Sequence, residues 1–430
     1  MQLNDAKPQN LARMRLVAAT LGLLGVTTVR PVAADDDTRK WTFDNGLLFY
    51  KENGGRVQAI EPVVNAAVDL GNDRTLSMGL VLDSLTGATP SGAAPAVTPQ
   101  TFSSPSGRGK TYTIAPGATP LDNTFKDTRF AATLGYLFPL NNLSKLGVGL
   151  SGSKEYDFTS VGANTHYSLD LNQKNTTLNA GLSFEYDQVD PVGHVPIPLT
   201  MMVDAVKTGG TTKTKNVKDV LLGVTQIIDP QSLLQFNYSL SLSNGYETDP
   251  YKILSVVDSN AQPQYYVYEK RPDSRTKHAL FAEYKRFVFG HDVADLSYRF
   301  FIDSWGVRAH TVDLSYRWNF SQRQYLEPNA RFYTQTAADF FHAALFTGED
   351  ASVSNASADP RLGAFNAWTG GLKYGQVLGN GNELSVRVEY YKQFSKVAGV
   401  PDQAATALSQ FNLAPNLSAF NVSLGYRFNW

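Results

Sequence analysis

Apolar and polar residues alternate one by one along much of this chain. In residues 418–430, Phe420, Val422, Leu424, Tyr426, Phe428 and Trp430 share one parity, and Asn421, Ser423, Gly425, Arg427 and Asn429 share the other. Successive side chains of a strand point to opposite faces, so this segment reads as a strand with one apolar and one polar face. Leu234, Phe236, Tyr238, Leu240 and Leu242 alternate in the same way with Gln235, Asn237, Ser239, Ser241 and Ser243. Leu178, Ala180, Leu182, Phe184 and Tyr186 alternate with Asn179, Gly181, Ser183, Glu185 and Asp187, and Val312, Leu314, Tyr316 and Trp318 with Asp313, Ser315 and Arg317. A helix needs apolar residues three and four apart, a spacing these windows do not follow.

Extended along the chain, the pattern predicts about 16 strands: 41–51, 56–70, 74–85, 128–138, 145–157, 163–173, 175–187, 217–228, 231–243, 275–289, 292–303, 306–319, 323–337, 363–376, 382–396 and 417–430. Most are near or slightly above the roughly 9–11 residues that a tilted membrane strand requires. Soluble sandwiches alternate too, so the connections discriminate better. Short turns fall at Gly71-Asn72-Asp73, Asn141-Asn142, Asp229-Pro230, Gly290-His291, Ser321-Gln322 and Gly379-Asn380-Gly381, with residues suited to tight turns. Between them lie long loops near 86–127, 188–216, 244–274, 338–362 and 397–416. If every short turn is on one side, every long loop is on the other. The expected fold is all-β: a transmembrane antiparallel β-barrel of about 16 strands, with short periplasmic turns and long extracellular loops. An even count places both chain ends in the periplasm. The first hairpin, with Asn53-Gly54-Gly55 at its tip, completes that count.

The N-terminus reads as an export signal. Lys7, Arg13 and Arg15 precede a mostly apolar run at residues 16–29, which at about 14 residues is too short to span a membrane but suits a signal-peptide core. Val32-Ala33-Ala34 supplies small residues for cleavage between Ala34 and Asp35. Residues 1–34 are thus expected to be removed, leaving 35–430 as a single barrel domain in the bacterial outer membrane. No later stretch approaches the roughly 18 apolar residues of a spanning helix, so any membrane crossing is by strands. Aromatic residues make up 12% of the chain, with 24 Phe and 21 Tyr, yet the mean hydropathy is only -0.24. Strands that face lipid on one side and water on the other, with aromatic belts at the interfaces, account for both values. Tyr136, Phe138, Trp318, Phe320, Phe428 and Trp430 fall at predicted periplasmic strand ends. The closing Tyr426, Phe428 and Trp430 resemble the C-terminal signal read by the barrel-assembly machinery.

Composition and motifs narrow the chemistry. The absence of Cys excludes disulfides, thiolate metal sites and Cys nucleophiles. A formal net charge of -1 provides no global field for nucleic acid. Phosphate-binding, dinucleotide and zinc-protease motifs and the serine nucleophile elbow are all missing. The six His are scattered, so no metal, cofactor or catalytic residue is assigned. A rim pair of Asp303 and His310 is the nearest approach to an enzyme, and nothing completes a triad. The polar parity sends charges of both signs into the lumen: Asp83, Arg129, Glu185, Asp187, Arg299, Asp303, Arg317, Glu327, Arg331, Arg387, Glu389 and Arg427. They fit either a transverse field across a pore or salt bridges that brace the wall. The loop at 244–274 is rich in aromatic and aliphatic residues. Its candidate binding residues are Tyr246, Asp249, Tyr251, Lys252, Asp258, Tyr268, Glu269, Arg271 and Asp273, on a folded lid or on a hairpin that covers the rim. The loop at 86–127 is rich in Gly, Pro, Ser and Ala as far as Pro120. Lys207, Lys213, Lys215 and Lys218 form a basic stretch that either meets lipopolysaccharide phosphates or stays solvated.

Several blocks resemble the DUF3570 family of predicted outer-membrane barrels: Gly54-Gly55-Arg56-Val57, Thr86-Gly87-Ala88-Thr89-Pro90, residues 120–129, 172–178, 245–258, 268–278 and 297–318. The resemblance covers most of the chain after the signal peptide. It implies location and architecture but no substrate or catalytic residue. The expected function is a porin-like channel or transport component for small solutes. The alternative is a non-enzymatic scaffold or receptor barrel that binds a partner protein, in its lumen or in the periplasm, or an extracellular ligand. Outer-membrane lipid, lipopolysaccharide and the barrel-assembly machinery are the other expected partners; nucleic acid is not. The expected processing has a direct check: intact-mass measurement of the protein from cell envelopes gives a chain beginning at Asp35, and a chain retaining residues 1–34 would refute the cleavage.

Overall fold

In the computed structural model, residues 40–103, 111–202 and 209–430 are described. The expected signal peptide, its Ala34–Asp35 bond and Lys207 lie outside them. The strands are β1 (Lys40–Glu52), β2 (Gln58–Asp69), β3 (Thr75–Pro90), β4 (Gln100–Ser103), β5 (Thr111–Ile114), β6 (Leu121–Asn141), β7 (Ser144–Lys154), β8 (Phe158–Leu171), β9 (Thr176–Val189), β10 (Lys213–Asp229), β11 (Ser232–Gly245), β12 (Ile253–Val257), β13 (Pro263–Tyr268), β14 (Ser274–Val288), β15 (Asp292–Asp303), β16 (Arg308–Arg317), β17 (Gln324–Gln335), β18 (Leu345–Phe346), β19 (Phe365–Val377), β20 (Glu383–Ser395) and β21 (Leu417–Asn429). All but β4, β5, β12, β13 and β18 join in one closed antiparallel ring in chain order. The ring closes between the first and last strands, with Phe43 opposite Phe428 and Leu47 opposite Leu424. Trp41 and Trp430 exchange both backbone hydrogen bonds at 2.8 Å. Closure leaves no strand edge unpaired, which is the condition for placing a sheet in lipid.

Each predicted strand has its counterpart in the ring, including the first hairpin. Connections at the end that holds Lys40 and Trp430 are short, at 70–74, 142–143, 172–175, 230–231, 289–291, 318–323 and 378–382. The long ones, 91–120, 190–212, 246–273, 336–364 and 396–416, are all at the other end. The predicted loop boundaries need correction in two places. First, β3 and β6 continue past 85 and begin before 128, pairing Thr86 with Lys126 and Pro90 with Leu121 across a bulge at Gly87–Thr89. Gly87 has φ 127°, and a Cβ there would lie 2.4 Å from the Arg56 carbonyl. Only glycine lets this extension pass the β1–β2 turn. Second, Lys213, Lys215 and Lys218 belong to β10. Lys215 does not meet solvent; it is buried and ion-paired with Asp187 at 3.5 Å and Glu247 at 3.9 Å.

The outward parity is apolar and exposed around the ring: Leu150 is 60% exposed, Leu182 57%, Leu280 56%, Trp368 54% and Phe130 52%. A soluble sandwich buries this face; a barrel that displays it has lipid as its outer solvent. At the turn end the outward rings form pairs, Phe43 with Phe428 at 4.8 Å, Tyr136 with Phe138 at 5.5 Å and Trp318 with Phe320 at 5.5 Å between centroids. This is an aromatic belt at one interface. No described helix is long and apolar enough to span a membrane.

Leu182→Arg tests the lipid-facing assignment, because the change breaks no packed core. Denaturant unfolding in bilayers is expected to show a loss of about 2–4 kcal/mol. A neutral result, as at an exposed site of a soluble protein, would overturn the assignment.

Candidate functional site

The inward parity carries small and polar side chains, and its exposure changes along the barrel axis. Near the turn end, Asn65, Ser77, Thr133, Asn164 and Arg427 are exposed. Near the loop end, Tyr50 is 5% exposed, Tyr333 8%, Phe365 8%, Tyr391 9% and Ala419 1%, and these form one cluster with Ala59, Ala309 and Leu417. A ring this wide encloses water unless something fills it. The lumen is therefore wet at the turn end and occluded at the loop end. The tyrosines of the occluded layer are satisfied locally. The hydroxyls of Tyr50, Tyr333 and Tyr391 donate to Glu52, Gln335 and Gln393 at 2.9, 2.7 and 2.8 Å.

Most of the predicted lumen charges are in pairs. Arg129 lies 3.5 Å from Asp83. Glu185 accepts from the Ser160 hydroxyl, and Asp187 meets Lys215. Asp303 is bonded by Arg275, whose guanidinium lies 4.1 Å over the Trp305 ring. Arg317 and Arg387 grip Glu327 from two sides at 2.9 and 2.8 Å. Arg387 also reaches Glu389 at 3.4 Å, and Arg331 bonds Asp313. Arg299 lies 5.8 Å from the Phe301 ring centre, and Arg427 is exposed near the turn end. On the wall of β14–β20 the cations protrude and the anions recede. Arg317 is 39% exposed and Arg387 30%, against 12% for Glu327 and 7% for Glu389. Lys285 repeats this, reaching Glu283 and Asp295 at 3.2 and 3.3 Å. Its role was missed from sequence because parity gives a direction but not a partner.

The considered Asp303–His310 pair does not form. Asp303 points inward and is buried. His310 pairs in register with outward Phe300, and its Nδ1 meets the Tyr298 hydroxyl at 2.7 Å on the lipid side.

A lid covers the loop end. The β12–β13 hairpin takes β18 alongside in parallel, Val256 opposite Leu345. Its buried residues pack with segments from the other long connections, including Ala94, Ala344 and Leu408. Gly92 and Gly399 allow backbones to touch: a Cβ at either would lie 2.3 Å from the carbonyl of Ile253 or Phe341. Asp249, Lys252, Glu269 and Arg271 of the predicted loop site are interior groups of this lid. Arg271 bridges Glu269 at 2.6 Å and Asp359 at 2.8 Å. Arg361 joins Asp359 to Asp249, the latter at 3.1 Å. Ser357 donates to Glu269, and Lys252 Nζ to the Pro90 carbonyl. Connections from β3, β11 and β17 are thereby locked together. Burial alone would raise the Asp359 carboxyl, but Arg361, Arg271 and Lys252 hold it well below the usual range. Burial pushes Glu269 up against the pull of Arg271.

The remaining loop candidates are structural as well. The Tyr251 hydroxyl donates to Asp157 at 2.5 Å and accepts from the Val192 amide at 3.0 Å, tying the lid to two neighbouring connections. Tyr268 is buried beside Phe102 and Tyr112, and Asp258 accepts the Asn260 and Gln262 amides at 2.9 Å within its own turn. The Tyr246 amide donates to Thr214 at 2.9 Å. Asp273 is exposed, and its carbonyl accepts from Gly245 at 2.8 Å. Arg361, Asp359 and Ser357 were missed from sequence, since nothing local marks them as partners of residues about a hundred positions earlier.

The ring is similar in architecture to solved outer-membrane proteins. OccK1 (OpdK) of Pseudomonas aeruginosa aligns over 91% of this chain and 99% of its own, at 8% identity and TM-score 0.41. A Pseudomonas aeruginosa FadL homologue aligns over 91% and 89%, at 12% identity and TM-score 0.39. CdiB from Acinetobacter baumannii aligns over 92% and 61%, at 7% identity and TM-score 0.45. No curated protein sequence matches. The family model described as a protein of unknown function, DUF3570, matches residues 13–428, and the chain belongs to that family.

Proposed function

We propose that this protein is an outer-membrane transport barrel for small polar solutes, exported by a cleaved signal and closed at its outer mouth by a lid that must shift for passage. Tyr426, Phe428 and Trp430 at the ring seam serve as its assembly signal in this reading. One observation carries it: a water-accessible lumen, with protruding cations over recessed carboxylates, runs from the turn end up to a packed lid. A wall that served only to brace the ring would not need to present guanidiniums to the lumen water. The second reading, a receptor or scaffold, draws on the lid itself. Its buried ion-pair network gives a rigid, preformed outer surface of the kind that a partner grips.

Lid rupture separates the two. Removing one partner of a buried ion pair costs about 3–5 kcal/mol, so Asp359→Asn should loosen the lid without touching the ring. In planar bilayers, rare or small conductance steps are expected for the unaltered protein, and frequent larger steps for Asp359→Asn and Arg271→Gln. If all three insert as folded barrels and stay silent, transport fails and the scaffold reading stands.

Mild acid should not imitate the substitution. Glu269, with its raised pKa, binds a proton more readily in the folded lid, so its contribution to stability grows as pH falls through that pKa. Asp359, with a depressed pKa, contributes stability above the unfolded value and loses it only as pH falls through the depressed one. Conductance is therefore expected to stay unchanged between about pH 5 and pH 8, well above the range of a depressed carboxyl. A sharp opening in that window would show that another group holds the lid.

A further inference from the structure

Charged side chains on the lipid-facing parity are few, and at the loop end those on the described strands are of one sign. Lys51 of β1, Lys126 of β6, Lys154 of β7, Lys218 of β10, Arg308 of β16 and Lys392 of β20 share that face. Four of them have exposed apolar register partners: Phe420 for Lys51, Phe130 for Lys154, Phe184 and Leu242 for Lys218, and Trp368 for Lys392. All of these cations occupy the loop-end third of their strands. Among the described strand residues, no Asp or Glu lies on that face at that end. Composition does not explain the bias, because the chain holds 38 Lys and Arg against 39 Asp and Glu. The turn end has no such ring. It carries aromatic pairs and outward charges of both signs: Arg286 of β14 donates to the Tyr284 hydroxyl at 3.3 Å, and Asp292 is covered by the Tyr316 hydroxyl at 2.6 Å and the Asn319 amide at 2.8 Å.

On β14–β16 two imidazoles join Arg308 on this face. His278 and Arg308 flank Ile302 in one register row, about 10 Å apart across two strand spacings. His310 follows two residues along β16. Both imidazoles are anchored through Nδ1, His278 by the Tyr238 hydroxyl at 2.8 Å and His310 by the Tyr298 hydroxyl at 2.7 Å. Nε2 is on the far side of each ring.

We infer that this rim binds the phosphates of the outer-leaflet glycolipid, lipopolysaccharide, and that His278, Arg308 and His310 form its main seat. A belt of cations without interspersed anions suits a headgroup that is anionic throughout. A zwitterionic phospholipid brings its own ammonium and would be better matched by a rim of both signs. Long lysine and arginine side chains can lay their stems along the apolar wall and lift their charge to headgroup height. The inference rests on the outer-membrane placement and is independent of whether the barrel transports anything.

Native mass spectrometry of the refolded full-length barrel in non-ionic detergent, with bisphosphorylated lipid A as probe, tests it. The protein is expected to retain lipid A in a salt-sensitive manner. The variant His278→Gln/Arg308→Gln/His310→Gln should bind at least about fivefold more weakly, the scale set by one surface cation at an anionic membrane. Dephosphorylated lipid A and phosphatidylethanolamine should be retained poorly by both. Equal retention of phosphorylated and dephosphorylated lipid A, or equal retention by the unaltered protein and the triple variant, would overturn the inference. If the variant does not fold, as judged by heat-modifiable gel migration, the salt titration and the dephosphorylated probe on the unaltered protein still decide.

Discussion

Hydrogen bonding of the backbone in a solvent that cannot hydrogen-bond is the constraint on which everything else depends. Each amide and carbonyl at membrane depth must find a protein partner. A sheet satisfies this only when its first and last strands meet, here through Trp41 and Trp430 and the register that follows from Phe43 to Glu52. Once the ring is closed, a strand has an outside in lipid and an inside in water. The period-2 pattern of the sequence is the chemical record of that division. Leu178, Leu182 and Phe184 are exposed because lipid covers them, whereas Asn179, Ser183 and Glu185 line a polar interior.

This explains why the ring was legible in the sequence and the lid was not. Alternation is local, so each strand announces itself within a dozen residues, and turn chemistry such as Gly71-Asn72-Asp73 marks the reversals, with Asn72 and Asp73 at positive φ. The reading fails where the period breaks. The bulge at Gly87–Thr89 resets the parity, and residues 86–90 and 121–126, within the Gly- and Pro-rich stretch that reads as loop, pair as an extension of β3 and β6. In the lid the partners are distant: Arg271 meets Asp359 88 residues away, and Arg361 meets Asp249 112 residues away. No periodicity encodes such pairings. The composition of residues 244–274 indicated a folded lid or hairpin, but not that its charged groups would face inward.

The same polar residues do different work at different depths. In the wet part of the lumen, ion pairs such as Arg317–Glu327 and Arg387–Glu327 are half-solvated, so each adds little to stability but fixes where the guanidiniums stand. In the lid, Asp249, Glu269, Arg271 and Asp359 are almost wholly buried. Water cannot compensate for a broken pair there, which makes the network specific in geometry and costly to interrupt. The outer mouth is thus held by a few interactions that are strong only as a set, and the inner vestibule by many that are individually weak.

These two regimes limit how the closed end can open. The lid is anchored to the ring through Lys215, which joins Asp187 of β9 to Glu247 of the lid, and through Tyr251, which reaches Asp157 between β7 and β8. A small hinge at one loop would break the shared Arg271–Asp359–Arg361 network, because its members come from two separate connections, 246–273 and 336–364. Partial disengagement would strand a buried charge and be expelled by its own desolvation cost. Opening is then either a movement of the lid as one body, which preserves its internal pairs and breaks the anchors to the ring, or does not occur at all. Gly245, where the chain leaves β11 at φ 123°, abuts the β10 backbone so closely that a Cβ would lie 2.4 Å from the Thr214 carbonyl. It is a fixed point of that movement and not its hinge.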